Sequence, residues 1–261
     1  MSYQRLIIRV THNSLSFSTL VGGQVEYERY PLKNSISIAA NMREVLQTVN
    51  MLQRQYERVV VLVDSPMMMI PTEMFNEDEV EMLYRYTFTG QNQMAVFHSV
   101  VPELNVVAVF SLSKDLRTVL TDRFEQSLRM EPATSAIWLH MYQKSFTGPR
   151  QKLYGYFHDR SLEVFAFAQG RFKFYNSYAV SSNPNDALFY LLSVWKQLGM
   201  APSEDEMHLS GDIPGREQLT DEARRFVKRV FITNPSGEFN RAPVTQIEGM
   251  PYDLMVYYLK R

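Results

Sequence analysis

The sequence predicts an α/β protein of two domains in which one pattern of strands and helices occurs twice. Three short strand-like runs, an amphipathic helix, a further strand, more helix and another strand follow Tyr3, and the same order restarts at Lys152. The length of 261 residues is at the size where one hydrophobic core usually gives way to two. We therefore predict domains at residues 1–148 and 149–261, divided near Gly148, where a Thr-Gly-Pro-Arg segment interrupts the pattern.

The first three strands are predicted over residues 6–30. Residues 6–10 are mostly apolar, residues 15–20 alternate strictly between apolar and polar, and residues 25–30 alternate again until Pro31 ends the pairing. Turn-forming residues lie between these runs. The segment is therefore predicted to form an antiparallel meander.

The rest of the first domain is predicted to alternate helices and strands. One apolar stripe predicts a helix from about Ser37 to Tyr56, and a β-branched run at residues 59–63 predicts a strand covered on both faces. Met67, Met68 and Met69 are expected in the core or in a covered loop. Later helices are predicted at residues 77–88, 113–126 and 134–146, and strands at residues 94–101 and 106–111. The inward side of the first of these helices is predicted to carry Val80, Leu83, Tyr84 and Phe88.

The second domain is predicted to repeat the meander, with strands at residues 153–158, 162–168 and 172–179. Its alternating aromatic residues favour a packed sheet face over a surface that stacks nucleic-acid bases. Asn183 caps a helix that begins with Pro184 and ends at Gly199. The remaining elements are predicted as a strand at 207–209, a helix at 215–228, a strand at 230–232 and a closing helix from Pro251. We expect this closing helix to pack across the junction between the domains.

Composition excludes several classes of function. The 27 Lys and Arg residues nearly balance the 28 Asp and Glu residues, so no overall field attracts nucleic acid or an anionic membrane. The chain has no cysteine, which excludes disulfides, thiolate nucleophiles and cysteine-based zinc sites. Its apolar runs are far shorter than the roughly 20 residues of a membrane-spanning helix, and no secretory leader pattern follows Met1. We expect a cytoplasmic protein that neither binds nucleic acid nor inserts into a membrane.

Three segments carry a resemblance to known proteins. They are Met-Ile-Pro-Thr-Glu-Met-Phe at residues 69–75, Leu-Ser-Gly-Asp at 209–212 and Gly-Met-Pro-Tyr-Asp-Leu at 249–254. With the repeated strand pattern, the chain resembles a bacterial family of uncharacterised proteins with the actin-like ATPase fold. The resemblance covers nearly the whole chain. It implies two ribonuclease-H-like domains in the actin-like arrangement and no assigned activity.

Active proteins of this fold hold ATP between the domains, with a glycine-rich turn in the first hairpin of each domain against the phosphates. The corresponding turns here contain Asn13 and Asp159 and have no glycine. The resemblance places Ser210 and Gly211 where a glycine pair supports adenosine, and only one glycine is present. Asn13, Asp159, Ser210 and Gly211 are therefore the candidate nucleotide-binding residues of an interdomain cleft.

No other motif assigns a catalytic residue or a metal site. The five histidines are scattered without a pair four residues apart on a helix, and the serine-hydrolase and phosphate-loop patterns are absent from the sequence. The first hypothesis is a non-catalytic adaptor with degenerate nucleotide-binding motifs, a protein partner and no cofactor. The alternative is a divergent ATP-binding enzyme or switch, in which Asp64 or Asp159 holds magnesium.

Overall fold

A computed structural model describes residues 3–125 and 128–260, and it divides into two compact units. The first unit comprises the residues up to Ser135 together with Ile247–Gly249. The second comprises Ala136–Gln246 and the residues from Met250 onward. The division at residue 148 stays a prediction, as does the packing of the closing helix across a domain junction.

The described residues of the first unit form eleven elements in chain order. They are β1 (Tyr3–Val10), β2 (Ser14–Val21), β3 (Gln24–Pro31), α1 (Ile38–Thr48), β4 (Tyr56–Val63), β5 (Met68–Pro71), α2 (Val80–Thr87), β6 (Met94–Val101), β7 (Val106–Ser113), α3 (Lys114–Phe124) and β8 (Leu128–Pro132). Single 3₁₀ turns lie at Asn50–Gln53, Thr72–Met74 and Pro102–Leu104. The predicted end of α3 at Gln126 lies outside the described residues.

The main sheet of the first unit has the strand order β3-β2-β1-β4-β8. The meander β1 to β3 is antiparallel, while β4 pairs parallel with β1 and β8 pairs parallel with β4. Helices α1 and α3 pack beside each other. The predicted meander and the covered strand β4 are confirmed, since Val59, Val61 and Leu62 have no exposed surface.

A second, three-stranded sheet lies between β4 and α3 in the chain, with the order β5-β7-β6. Its small core contains Val80 and Tyr84 of α2 and Val107 and Val109 of β7, so α2 covers one face of this sheet. The methionine run was expected in a core or a covered loop, and part of it forms strand β5, which pairs with β7.

The helix predicted from Ser37 to Tyr56 is shorter in the structure, because α1 ends at Thr48. Ser37 caps its start by accepting a hydrogen bond from the backbone N–H of Ala40 at 3.1 Å. Val49 leaves the helical conformation, and the 3₁₀ turn after it keeps Leu52 buried, which explains why the apolar stripe continues in the sequence. Tyr56 belongs to β4 instead.

The second unit repeats the plan of the first. From Ser135 onward the described elements are α4 (Ser135–Ser145), β9 (Lys152–His158), β10 (Ser161–Ala168), β11 (Arg171–Ala179), α5 (Pro184–Gln197), β12 (Glu206–Gly211), α6 (Arg216–Phe226), β13 (Val230–Ile232), α7 (Pro235–Glu238) and α8 (Tyr252–Lys260). A further 3₁₀ turn lies at Pro243–Gln246. The strand order β11-β10-β9-β12-β13 matches the main sheet of the first unit. The predicted duplicated α/β fold is confirmed.

The two faces of this second sheet differ. One face is aliphatic and forms a core with α5 and α6 that includes Leu153, Leu191 and Leu219. The other carries one aromatic ring from each strand in a single register row. In strand order the row is Tyr175, Phe165, Tyr154, His208 and Phe231. Phe165 and Tyr154 are buried, which confirms the predicted packed face at the centre of the sheet.

Candidate functional site

The predicted site residues lie at the carboxyl ends of the central strands, where open α/β sheets bind ligands. In the first unit Asn13 follows β1, and Asp64 follows β4 with its backbone N–H bonded to Val10 at 2.9 Å. In the second unit Asp159 follows β9, while Ser210 and Gly211 end β12, which pairs parallel with β9. Each unit thus brings its own candidates to one sheet edge.

The first turn is closed around the hydroxyl of Thr11. This oxygen accepts hydrogen bonds from the backbone N–H groups of Ser14 at 3.1 Å and Asn13 at 3.4 Å, and it donates to the Asn13 side chain at 2.9 Å. Thr11 is buried. A phosphate-binding turn directs such N–H groups toward the anion. Here two of them are bonded within the turn.

The second turn is a two-residue hairpin connection in which Asp159 and Arg160 both have positive φ, at 43° and 64°. These angles are typical of a type I′ turn, which usually contains Asn, Asp or Gly. The Asp159 carboxylate lies 3.8 Å from Nδ1 of His158, and Nε2 of the same ring lies 3.3 Å from Glu163. Glu163 also accepts a hydrogen bond from the indole of Trp138 at 3.2 Å. Asp159 therefore stands beside a buried imidazole that is flanked by two carboxylates.

Gly211 is required by the packing of its own strand. Its φ is +84°, and a Cβ atom there would lie 2.0 Å from the carbonyl oxygen of Phe157. The backbone N–H of Asp212 donates to that same oxygen at 2.9 Å. The hydroxyl of Ser210 lies 3.5 Å from the Gly155 carbonyl oxygen. The glycine is thus explained by a close approach of two backbones, without a ligand.

A different surface, missed by the sequence reasoning, is exposed on α2. Met82, Leu83 and Tyr86 have 69%, 44% and 86% of their surface exposed, and we call these three residues the α2 outer face. The prediction that Leu83 points inward was wrong, whereas Val80 and Tyr84 are buried as predicted. The sequence could have predicted this face, because the apolar residues of α2 occupy more of the helix circumference than the single stripe that packs on the sheet.

Exposed carboxylates precede and flank this face along the chain. They belong to Glu73, Glu77, Asp78, Glu79 and Glu81. Among the described residues from 73 to 88 the one cation is Arg85, which binds the Glu81 carboxylate at 2.6 Å and the carbonyl oxygens of Gln91 and Met94 at 2.6 and 3.0 Å. Acidic side chains near a helix N-terminus also stabilise the helix dipole. Residues 73–88 therefore carry five negative charges and one positive charge.

An open groove runs along the other flank of α2, where Glu81 meets β6 and α3. Its volume is about 460 Å³. Ala95 and Val96 form its apolar floor, and Lys114, Arg117 and Asp122 supply charge from α3. Arg117 also lies over the ring of Phe97, 5.4 Å from its centre. Charges of both signs line the groove, so it does not select a ligand of one sign.

Comparison with known proteins supports the fold. The sequence signature of a family described as "Protein of unknown function (DUF3822)" matches residues 1–230. The chain is similar to a Bacteroides thetaiotaomicron protein with an actin-like ATPase fold and unknown function, at 26% identity and a TM-score of 0.82, over 94% of this chain and 96% of that one. It is also similar to a chain of the PilM-PilN type IV pilus biogenesis complex, at 10% identity and a TM-score of 0.54, over 90% and 89% of the two chains.

No curated protein matches the sequence significantly. The molecule therefore has the actin-like ATPase fold, and the predicted resemblance is confirmed. Within residues 3–125 and 128–260, no helix combines the length and apolar character needed to span a bilayer.

Proposed function

This chain belongs to the DUF3822 family of proteins of unknown function, and we propose that it is a non-catalytic interaction protein built on the actin-like scaffold. It binds a partner protein and does not turn over nucleotide. The observation that carries the proposal is the first turn, where the buried hydroxyl of Thr11 accepts the hydrogen bonds of two backbone N–H groups. A phosphate would have to displace bonds that the folded chain already makes.

Two further observations support this proposal. Gly211 has a packing reason of its own in the approach of Phe157. An exposed apolar face with a negative border also lies on α2, and large exposed apolar patches on soluble proteins commonly mark interaction sites. One similar structure is that of a PilM-PilN complex, in which a protein of this fold is found with a second protein.

The alternative is a divergent ATP-binding enzyme or switch. Asp159, Ser210 and Gly211 share the carboxyl edge of the second sheet, and Asn13 shares the corresponding edge of the first with Asp64. In this alternative the four candidate residues contact the nucleotide, and Asp64 or Asp159 holds magnesium.

Thermal unfolding with and without millimolar Mg-ATP separates the two functions. A ligand that binds the folded state at a hundred times its Kd adds roughly 2.7 kcal/mol of stability. We expect no stabilisation by Mg-ATP, Mg-ADP or Mg-GTP, either for the natural protein or for Asp159→Ala. A stabilisation that is present in the natural protein and lost in Asp159→Ala would establish the alternative.

Affinity capture from the cells that make the protein tests the other half of the proposal. We expect one protein to co-purify in near-stoichiometric amount at low salt. Recovery of the chain alone under several salt conditions would contradict an adaptor function.

A further inference from the structure

We infer, resting on the proposed interaction function, that the α2 outer face is the docking surface of this protein. Its occupant is an amphipathic helical segment of a partner protein whose polar side carries Lys and Arg. Three properties of the face carry this inference: its apolar side chains, the rigid support beneath them and the sign of the surrounding charge.

The apolar side chains have the spacing of a binding stripe. Met82 and Tyr86 are four residues apart and Leu83 and Tyr86 are three apart, so all three lie on one side of α2. Tyrosine is enriched among the residues that dominate binding energy, and methionine adapts to the shape of an apolar partner. An apolar stripe of this length matches the i, i+3, i+4 anchors of a second helix.

The face is supported by a rigid layer. On the opposite side of α2, Tyr84 has no exposed surface, and its hydroxyl donates to the Pro66 carbonyl oxygen at 2.6 Å and lies 2.9 Å from Oγ of Ser111. Val80 and Val109 complete the packing beneath the helix. Because α2 is already ordered by these contacts, docking does not need to order it again.

The surrounding charge selects the partner. The five carboxylates at residues 73–81 are exposed, and Arg85 is engaged by Glu81 and by two carbonyl oxygens. Lys114 and Arg117 lie in the groove on the other flank of α2, beside Glu81. A negative border attracts a segment with Lys and Arg, speeds its association and makes binding weaken with salt. The same border repels nucleic acid and anionic lipid, both of which carry phosphate.

A second copy of the chain fits this surface less well. A two-fold contact would place the face and its neighbouring carboxylates against the same negative surface of the second copy, with no Lys or Arg from residues 73–84 to balance it. The basic end of α6 in another copy is already balanced, since Arg224 and Arg225 lie 3.6 and 3.1 Å from Asp221 and Glu222. A separate partner protein that carries Lys and Arg supplies the positive charge that a second copy of this chain does not offer.

Site-specific photo-crosslinking in the cells that make the protein tests this inference. A photoreactive phenylalanine analogue replaces Tyr86 in the full chain, and matched probes replace Leu20 on β2 and Phe226 on α6, which are 54% and 55% exposed. We expect a cross-link from position 86 to a partner peptide with Lys and Arg on one helical side and apolar residues on the other. The control positions are expected to give no cross-link to that peptide.

Charge reversal at the border provides the second arm. Glu77→Lys combined with Glu79→Lys is expected to lower the cross-link yield from position 86 by roughly tenfold, because loss of charge complementarity affects both encounter and binding. Glu217→Lys combined with Asp221→Lys makes the same change of charge on the exposed side of α6 and is expected to keep the yield. A single cooperative transition in circular dichroism melts establishes that the variants are folded.

Four outcomes would overturn the inference: cross-links only from Leu20 or Phe226, a cross-linked peptide without Lys and Arg, a cross-link to a second copy of this chain, or no cross-link from position 86. The first of these leaves the proposed interaction function intact and moves its surface elsewhere. Stabilisation by Mg-ATP that is lost in Asp159→Ala, measured separately, is the result that removes the proposed function itself.

Discussion

The ammonium group of Lys152 donates a hydrogen bond to the backbone carbonyl oxygen of Lys144, 2.9 Å away, in the last turn of α4. The same ammonium donates to the Thr147 carbonyl oxygen at 2.6 Å, and the side chain is 2% exposed. Burial lowers the pKa of Lys152. A buried cation at a helix C-terminus satisfies carbonyl groups that have no partner within the helix and interacts favourably with the helix dipole. It fastens the end of α4 to the start of β9.

Replacement of this cation should destabilise the second unit. Lys152→Met keeps most of the side-chain volume but leaves the Lys144 and Thr147 carbonyl oxygens buried without their donor. We expect a loss of roughly 1–3 kcal/mol in the free energy of unfolding, measured by urea denaturation. Lys196→Met, on the exposed side of α5, is the matched control and should change stability by less than about 0.5 kcal/mol. Equal effects of the two changes would contradict this role of Lys152.

A partly buried carboxylate makes the second unit sensitive to acid. Burial alone would raise the pKa of Glu238, but hydrogen bonds from His140 at 2.7 Å and Tyr252 at 2.6 Å, together with Lys144, outweigh it and hold the pKa at about 2. The ordinary value is 4.5. Because the folded-state pKa is the lower one, the stabilisation is complete above pH 4.5 and is lost as the pH falls toward 2.

The corresponding loss is roughly 3 kcal/mol, since each pKa unit corresponds to about 1.4 kcal/mol. About 2 kcal/mol of this loss should appear in urea unfolding measured between pH 6 and pH 3, and the rest at lower pH. Glu238→Gln removes the titrating group, so its stability should vary less over this range than that of the natural protein. A parallel pH dependence of the two proteins would show that Glu238 is not the group responsible.

Gly211 should tolerate no side chain. Alanine at positive φ costs roughly 1–2 kcal/mol wherever it occurs, and Gly199→Ala, with φ +62° and nothing within 4 Å of the added Cβ, should show that cost alone. Gly211→Ala adds the collision with the Phe157 carbonyl oxygen, so its loss should exceed that of Gly199→Ala by roughly 1–3 kcal/mol. Comparison of the two denaturation midpoints checks this, and similar losses would argue against the backbone contact.

Removal of the Thr11 hydroxyl should lower the free energy of unfolding more than removal of its methyl group. Thr11→Val is nearly isosteric and removes the acceptor of the Asn13 and Ser14 N–H groups, so we expect a loss of roughly 1–3 kcal/mol in the free energy of unfolding. Thr11→Ser keeps the acceptor and should lose clearly less. If the serine variant were as unstable as the valine variant, the hydroxyl would not be what closes this turn.

The repeated architecture could be predicted from the sequence because its signals are local. Alternation with a period of two marks the strands β2 and β10, and side-chain caps mark the helices that begin after Ser113 and Asn183. Both caps are present, with the side-chain oxygens accepting from Leu116 and Asn185. Neither signal depends on residues far away in the chain.

The errors concern places where distant residues decide. The end of α1 was misplaced because the 3₁₀ turn continues the same apolar stripe, and β8 was missed because five residues acquire a strand conformation only by pairing with β4. Leu83 was assigned inward because an apolar residue gives no local sign of how many sides of its helix are covered. The predicted roles of Asn13, Asp159, Ser210 and Gly211 in nucleotide binding stay predictions.

The sequence by itself determined the class of fold, the order of most of its elements and the absence of glycine from both candidate phosphate turns, since period, caps and composition can be read along the chain. Only the tertiary structure decided that the Thr11 hydroxyl bonds the N–H groups of its own turn, that Phe157 requires a glycine at position 211, and that Met82 and Tyr86 are left uncovered on α2. The physical reason is that burial and hydrogen-bond satisfaction depend on which atoms the folded chain brings together, and the local pattern of residues does not contain that information.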